Sequence, residues 1–213
     1  MKFVHGWAFP DVDQFMAAEM KPDGSYQAGH YHAAVRHVRD RSLAIDCGAH
    51  VGTWSKLMSA DFDRVIAIEP SPDTFEALVT NLAAFGCANV EPRNVAVGRD
   101  TGTVSMVLEG RAAAANNTGG RFVQPGGTIP LQRIDDWHLP SCGFLKMDIE
   151  GSEPLALEGA AKTIARCRPV VLFEHKGFCR RYGLPPDATI KVLTRCGYRH
   201  AETQGKDQIW IAA

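Results

Sequence analysis

Three observations predict a doubly wound, Rossmann-like α/β fold. Strand and helix patterns alternate from residue 43 onward. The first strand, Leu43-Ala-Ile-Asp46, runs into a glycine turn and a helix start, Cys47-Gly-Ala-His-Val-Gly-Thr-Trp54. Four strand patterns end in acids, at Asp46, Glu69, Asp148 and Glu174. Such alternation builds a parallel sheet with helices on both faces. Ligands of these sheets bind at the carboxyl ends of the strands, so the four acids are expected along one edge.

Residues 1–40 hold few signals beyond a helix over Ala28–Arg39 and form an N-terminal segment, a lid or a dimer contact. The main domain is expected over 41–213. Val65-Ile-Ala-Ile-Glu69 is the second strand. Ser71 then stands at an N-cap, with Pro72 at the first helical position and Asp73 in the first turn. Phe75, Leu78, Val79 and Leu82 make the apolar stripe, and Gly86 stops the helix. A strand over Val90–Val97 contains Pro92, which lacks an N–H donor and belongs on an edge.

Residues 102–138 read as an insertion. Thr103–Leu108 is a short strand, and the paired glycines between 111 and 127 suggest a mobile loop between antiparallel strands. Alternation then resumes with Phe144–Asp148, a helix capped by Ser152 through Leu157 and Ile164, and Pro169–Glu174. Asp187 caps a helix ending at Gly197, and Tyr198–Thr203 with Gln208–Ile211 closes as a hairpin.

Length and composition bound the function. The 213 residues suit one domain with an appendage, and 45% apolar content supports a sizeable core. A net charge of -1 disfavours a nucleic-acid binder, and Arg36, Arg39 and Arg41 read as a solvated helix face. The six cysteines contain no C-x-x-C pair, so they read as reduced core thiols without structural zinc. The N-terminus lacks an apolar signal region, and no apolar run reaches the roughly 18 residues of a membrane span. The expected location is the cytoplasm.

The motifs point to a nucleoside cofactor with an extended tail. Gly48 and Gly52 let the backbone turn tightly and approach a ligand. The helix start at Thr53 and Trp54 offers free N–H groups to a carboxylate. Asp46 orients this turn or reaches the cofactor amine, and His50 is a loop residue beside the cofactor. Asp46-x-Gly48-x-x-x-Gly52 is not G-x-G-x-x-G, which favours S-adenosylmethionine over NAD. Glu69 is placed to accept hydrogen bonds from both ribose hydroxyls, with Pro70 and Ser71 beside it. Asn94, next to Val95, reads the adenine edge through its amide or is a turn asparagine.

Period-2 alternation puts Lys146, Asp148 and Glu150 on one side of their strand. Three charged groups there are costly to bury without partners and suggest a catalytic centre. Lys146 is expected to pin a carboxylate, and Asp148 to contact the cofactor amine or the substrate hydroxyl. His175 is a candidate general base or a surface histidine. A divalent metal on Asp148, Glu174 and His175 is the less favoured reading, because carboxylate clusters also pair with Lys or Arg.

The stretches 45–54, 65–75, Asn94–Gly98, Leu145–Glu153, Gly159-Ala160 and Pro169–Glu174 together resemble the FkbM family of methyltransferases, over about residues 40–180. The resemblance implies the class I methyltransferase fold, with seven strands in the order 3-2-1-4-5-7-6 and the last antiparallel. It implies S-adenosylmethionine as methyl donor, S-adenosylhomocysteine as product, and hydroxyls of sugars or polyketides as acceptors. By resemblance Gly48, Ala49, Gly52 and Glu69 carry the cofactor site, Asn94 borders the adenine, and Lys146, Asp148, Glu150 and Glu174 match the acidic motifs beside the reaction. One departure is His50, where the family commonly has asparagine.

The expected activity is O-methylation of a saccharide, glycan or other small metabolite. Asp148 or Glu174 is the expected base or base-orienter, with His175 behind them. The 111–127 loop is expected over the acceptor. A nitrogen acceptor on a small amine or nucleic acid and a catalytically inactive binding protein are the alternatives.

Overall fold

The computed structural model describes residues 1–22, 24 and 26–213. Seven strands form the main sheet: β1 (Leu43–Cys47), β2 (Arg64–Ile68), β3 (Val90–Arg93), β4 (Phe144–Met147), β5 (Val170–Glu174), β6 (Tyr198–Gln204) and β7 (Asp207–Ala212). They lie side by side as β3-β2-β1-β4-β5-β7-β6. The first five run parallel, and β7 is antiparallel to both β5 and β6. Pro92 sits on β3 at the sheet edge, opposite Ala67, where its missing N–H breaks no second ladder.

The central strands are buried on both faces and so read as continuous apolar runs. Leu43, Ile45, Leu145, Met147, Val171 and Phe173 share one core with helices α4 (Glu153–Gly159), α5 (Ala161–Cys167) and α6 (Ala188–Arg195). Ala44, Val65, Ala67, Phe144 and Leu172 share the other with α1 (Ala28–Val35), α2 (Thr53–Asp61) and α3 (Pro72–Ala84). Phe144 is fully buried and stacks on Phe62 at 6.1 Å between centroids. Each large side chain of this kind contributes about 1.5–3 kcal/mol.

The buried face of α3 differs from the expected stripe. Thr74, Ala77, Leu78, Asn81 and Leu82 are covered, and Val79 is 40% exposed. The hairpin Lys2–Val4 with Trp7–Phe9 explains the shift. Asn81 accepts from Ala8 N at 2.7 Å and donates to Ala8 O at 3.0 Å and Val51 O at 2.8 Å. A polar residue thus becomes core because its whole amide is satisfied.

Other expectations are corrected by contacts remote in sequence. The helix after Ser152 is two helices, broken at Ala160. Its second half is capped by the Asp135 carboxylate, which accepts from Lys162 N at 3.0 Å and Thr163 N at 2.8 Å. Ser71, Ser152 and Asp187 hold N-cap positions but make no side-chain cap bond. The first helix ends at Val35, and the third strand stops at Arg93.

Residues 111–127 are not a loop throughout. Ala96–Val97, Gly102–Val107, Phe122–Pro125 and Ile129–Gln132 build a second, four-stranded sheet. A short helix at Gly110–Ala114 and a 3-10 turn at Thr118–Gly120 join its strands. Gly120 serves close packing here, since a Cβ on it would lie 2.5 Å from the Ala112 Cβ. No helix of the described residues is long and apolar enough to cross a membrane, and all six cysteines are free.

Candidate active site

The carboxyl ends of β1, β2, β4 and β5 open into a cavity of about 340 Å³, within the range of small-molecule sites. Gly48, Ala49, His50, Thr53 and Trp54 line it from the glycine turn, and Glu69 and Pro70 from the end of β2. Lys146, Asp148 and Glu150 line it from β4 and the turn after it, and Glu174 from β5.

Gly48 is required by backbone approach. Its φ is +77°, and a Cβ there would lie 2.0 Å from the Asp148 carbonyl oxygen. The turn therefore packs directly on the segment that carries Asp148. Gly52, at φ +96°, would meet Leu78 at 2.8 Å and does not line the cavity.

Register brings Asp46 and Lys146 together, because the two are partners across β1 and β4. Lys146 Nζ lies 2.9 Å from Asp46 Oδ1 and donates to Gly48 O at 2.7 Å. Ser55 donates to Asp46 Oδ2 at 2.7 Å. Asp46 has no exposed surface and does not line the cavity. It orients the turn from beneath. Burial pulls the Lys146 ammonium down, but Asp46 and Asp148 outweigh it and hold it above its ordinary range.

Glu69 accepts from His50 N at 3.0 Å on one oxygen and from Ser71 N at 2.9 Å on the other. Each oxygen keeps a further lone pair for a ligand donor. Burial raises its pKa, and nearby His50 and the two backbone donors oppose that rise. Asn94 spends its amide on Glu69 O at 2.9 Å and Pro70 O at 3.0 Å. It fixes this loop rather than facing the cavity. Ser71 and Val95 also lie outside the lining, while Ala96 and Val97 are in it.

The acidic group sits at the other end. One oxygen each of Asp148, Glu150 and Glu174 falls within 4.8 Å of the others. Glu150 enters from a left-handed turn (φ +56°) beyond the end of β4. Lys176 pairs with Glu174 and, at 3.3 Å, with Glu150. Arg181 donates to Glu150 O at 3.0 Å and Oε2 at 3.3 Å. Its guanidinium lies 4.4 Å from the Phe122 ring centroid and 4.2 Å from that of Phe178. Burial and the neighbouring Asp148 push the Glu174 carboxyl up to about 8, against the pull of Lys176. Burial and the same two carboxylates push Tyr26 up to about 12.

His175 does not join this group. It shares the Phe173 side of β5, edge-on to that ring at 6.0 Å, outside the cavity lining. Alternation along an extended strand forces it away from Glu174. The three oxygens that do meet are a hard donor set suited to Mg²⁺, Mn²⁺ or Ca²⁺. Lys176 already brings positive charge to two of them, so a metal remains the less favoured reading.

Several lining residues carry no sequence signal. Phe15, Met16, Tyr26 and Gln27 come from the N-terminal segment, and Thr118, Arg121 and Phe122 from the insertion. Lys176 was missed as well, although period 2 along the strand places it on the side of Glu174.

Residues 46–200, well over half of the chain, match the model of the methyltransferase FkbM domain. A hexuronic acid methyltransferase of Haloferax volcanii, AglP, is 28% identical over 138 residues, which is 62% of this chain and 55% of that protein. The chain therefore spans about half the length of the curated relative it matches. Among solved structures, a methyltransferase FkbM from Methylobacillus flagellatus superposes with a TM-score of 0.55 at 22% identity, covering 85% of this chain and 49% of that one. An rRNA methylase from Streptococcus thermophilus superposes at 0.50 with 10% identity over 86% of this chain and 94% of that one. These two likenesses speak for the fold alone.

Proposed function

The chain belongs to the FkbM methyltransferase family, and from that premise we propose that it transfers a methyl group from S-adenosylmethionine to a hydroxyl of a saccharide or glycan. One observation carries the reading. A single cavity joins a glycine turn, a ribose-competent carboxylate and a raised carboxyl paired with a second acid. The name of the Haloferax relative supports a sugar acceptor.

The residues fit the cofactor by their open bonding positions. Gly48 and Ala49 spend their N–H groups on Ile68 O and shape the turn, so Thr53 and Trp54, at the start of α2 and in the cavity lining, would offer N–H groups to its tail. Glu69 holds both ribose hydroxyls on its unused lone pairs. Pro70, Ala96 and Val97 flank the adenine. When bound, S-adenosylmethionine supplies a methyl group activated by its sulfonium.

The acceptor lies beside Asp148 and Glu174. As the bound donor supplied its methyl group to the acceptor oxygen, this carboxylate pair would take the hydroxyl proton. The products are a methyl ether and S-adenosylhomocysteine. A carboxylate near pKa 8 is a stronger base than an ordinary one, which suits proton removal from an alcohol. Lys176 limits the charge on the pair, and Glu150 holds Lys176 in place. A nitrogen acceptor is the weaker reading, because a neutral amine attacks without prior loss of a proton.

The test is calorimetric titration of S-adenosylmethionine, with NAD as control, followed by transfer of labelled methyl to hexuronic acids and neutral sugars. Binding of S-adenosylmethionine alone, with label on a sugar hydroxyl, supports the proposal. Binding with label only on amines rejects the acceptor, and no binding rejects the cofactor. Turnover that survives EDTA keeps the metal out of the chemistry.

A further inference from the structure

Two segments far apart in sequence meet over the cavity. Residues 13–16 come from the N-terminal segment and residues 116–119 from the insertion. Gln14 N donates to Asn116 O at 3.0 Å. Met16 packs against Gly119, 3.7 Å from where a Cβ would stand. Phe15, Met16, Asn117, Thr118 and Gly119 all line the cavity.

Asp13 is the junction. It has no exposed surface, and its Oδ1 accepts from Met16 N at 3.0 Å. The buried Thr118 hydroxyl donates to Oδ2. That hydroxyl has one proton, so it can only accept from His50, whose Nε2 lies 2.8 Å away. His50 Nε2 is also 3.3 Å from Asp13 Oδ2. The same His50 donates its backbone N–H to Glu69. A continuous polar chain thus runs from Asp13 through Thr118 and His50 to the carboxylate proposed to hold the ribose.

Each half of this roof is anchored elsewhere. The N-terminal hairpin is tied to α3 through Asn81, and the insertion is held by its own sheet. Arg121 also ties the insertion to Asp73 at the start of α3, so each half has an anchor that does not pass through the contact between Asp13 and Thr118.

We propose that residues 13–16 and 116–119 form a two-part lid, latched to the glycine turn by Asp13, Thr118 and His50, that must open for the cofactor to enter and its product to leave. This rests on the reading that the cavity holds S-adenosylmethionine. Asp13 and Thr118 are positioning residues, acting through His50.

The experiment is stopped-flow binding of S-adenosylhomocysteine to the full chain and to Thr118→Val, Thr118→Ser and His50→Asn. Asparagine keeps the backbone donor, tolerates the left-handed φ of +50° and loses the ring contact. Loss of the latch is expected to raise both association and dissociation rates by about tenfold, the weight of one charge-assisted hydrogen bond. Thr118→Ser is expected to behave as the parent. Faster dissociation with unchanged or slower association would mean a damaged pocket and overturn the latch, as would two unchanged rates. Should Thr118→Val fail to fold, His50→Asn decides by the same criterion. A parent that binds no S-adenosylhomocysteine sinks the cofactor reading and the latch together, whereas a binding parent with unaltered variants sinks the latch alone.

Discussion

Two lysines stand beside carboxylates at the same sheet edge, and they do different things. Lys146 meets one fully buried acid, Asp46, which also accepts from Ser55. Lys176 meets Glu150 and Glu174, with Asp148 beside them and a quarter of its own side chain exposed. The first set is balanced in charge, with its acid outside the cavity and its lysine turned down onto that acid and the Gly48 carbonyl at the cavity floor. The second has more acid than base and opens into it. Balanced charge in a dry site fixes structure, whereas excess acid at a wet edge leaves a carboxyl poised to take a proton.

The sharpest way to break this comparison is to remove Lys146. Lys146→Met leaves Asp46 buried and unpaired, which costs about 3–5 kcal/mol. For a chain of this size that lowers Tm by roughly 6–20 °C. The double variant Lys146→Met/Asp46→Leu should recover most of the loss. Thermal unfolding of the two measures this, and a Lys146→Met protein as stable as the parent would show that the pair is not structural.

Asp148→Asn should act the opposite way. Turnover with the acceptor found by the methyl-transfer screen is expected to fall by about 10²-fold or more, equivalent to about 2.7 kcal/mol. Urea unfolding should show no loss of stability, because one of several crowded acids has become neutral. Full turnover with intact cofactor binding removes Asp148 from the chemistry.

Glu174→Gln tests the poised carboxyl through pH. The folded pKa of about 8 lies above the ordinary value of 4.5, so the folded state holds an extra proton between them. Parent stability therefore falls as pH rises from about 4.5 to 8. The glutamine variant lacks that slope and should gain on the parent across the window in urea titrations at pH 5 and 8.5. The limb of the rate profile near pH 8 should vanish with it. A parent profile without such a limb assigns proton removal elsewhere.

The smallest effect is expected at Arg181. Arg181→Met keeps apolar contact with Phe122 and Phe178 but frees the Glu150 turn. A loss of about 1 kcal/mol in transition-state stabilisation, roughly fivefold in kcat/KM, is expected. A change in Tm with unchanged kcat/KM makes this side chain structural only.

The sequence by itself determined the alternation, the glycine turn and the acid-ended strands. Those features are local: continuous apolar runs ending in an acid, a glycine that permits a tight turn, and a proline that tolerates only an edge each act within a few residues. The parallel sheet and the cavity position of Gly48, Glu69, Asp148 and Glu174 follow from them. Only the tertiary structure decided the rest. The register of β1 against β4 turned Asp46 and Lys146 into a buried pair. Asn81 became core because a hairpin some 70 residues away in sequence takes its amide. His175 left the site, and Lys176 and Arg181 completed it. Thr118 and Asp13 met at the cavity from positions 105 residues apart in the chain. Hydrogen bonds and ion pairs between remote segments leave no periodic trace along the chain, because they form only once the sheet has brought their partners within about 3 Å.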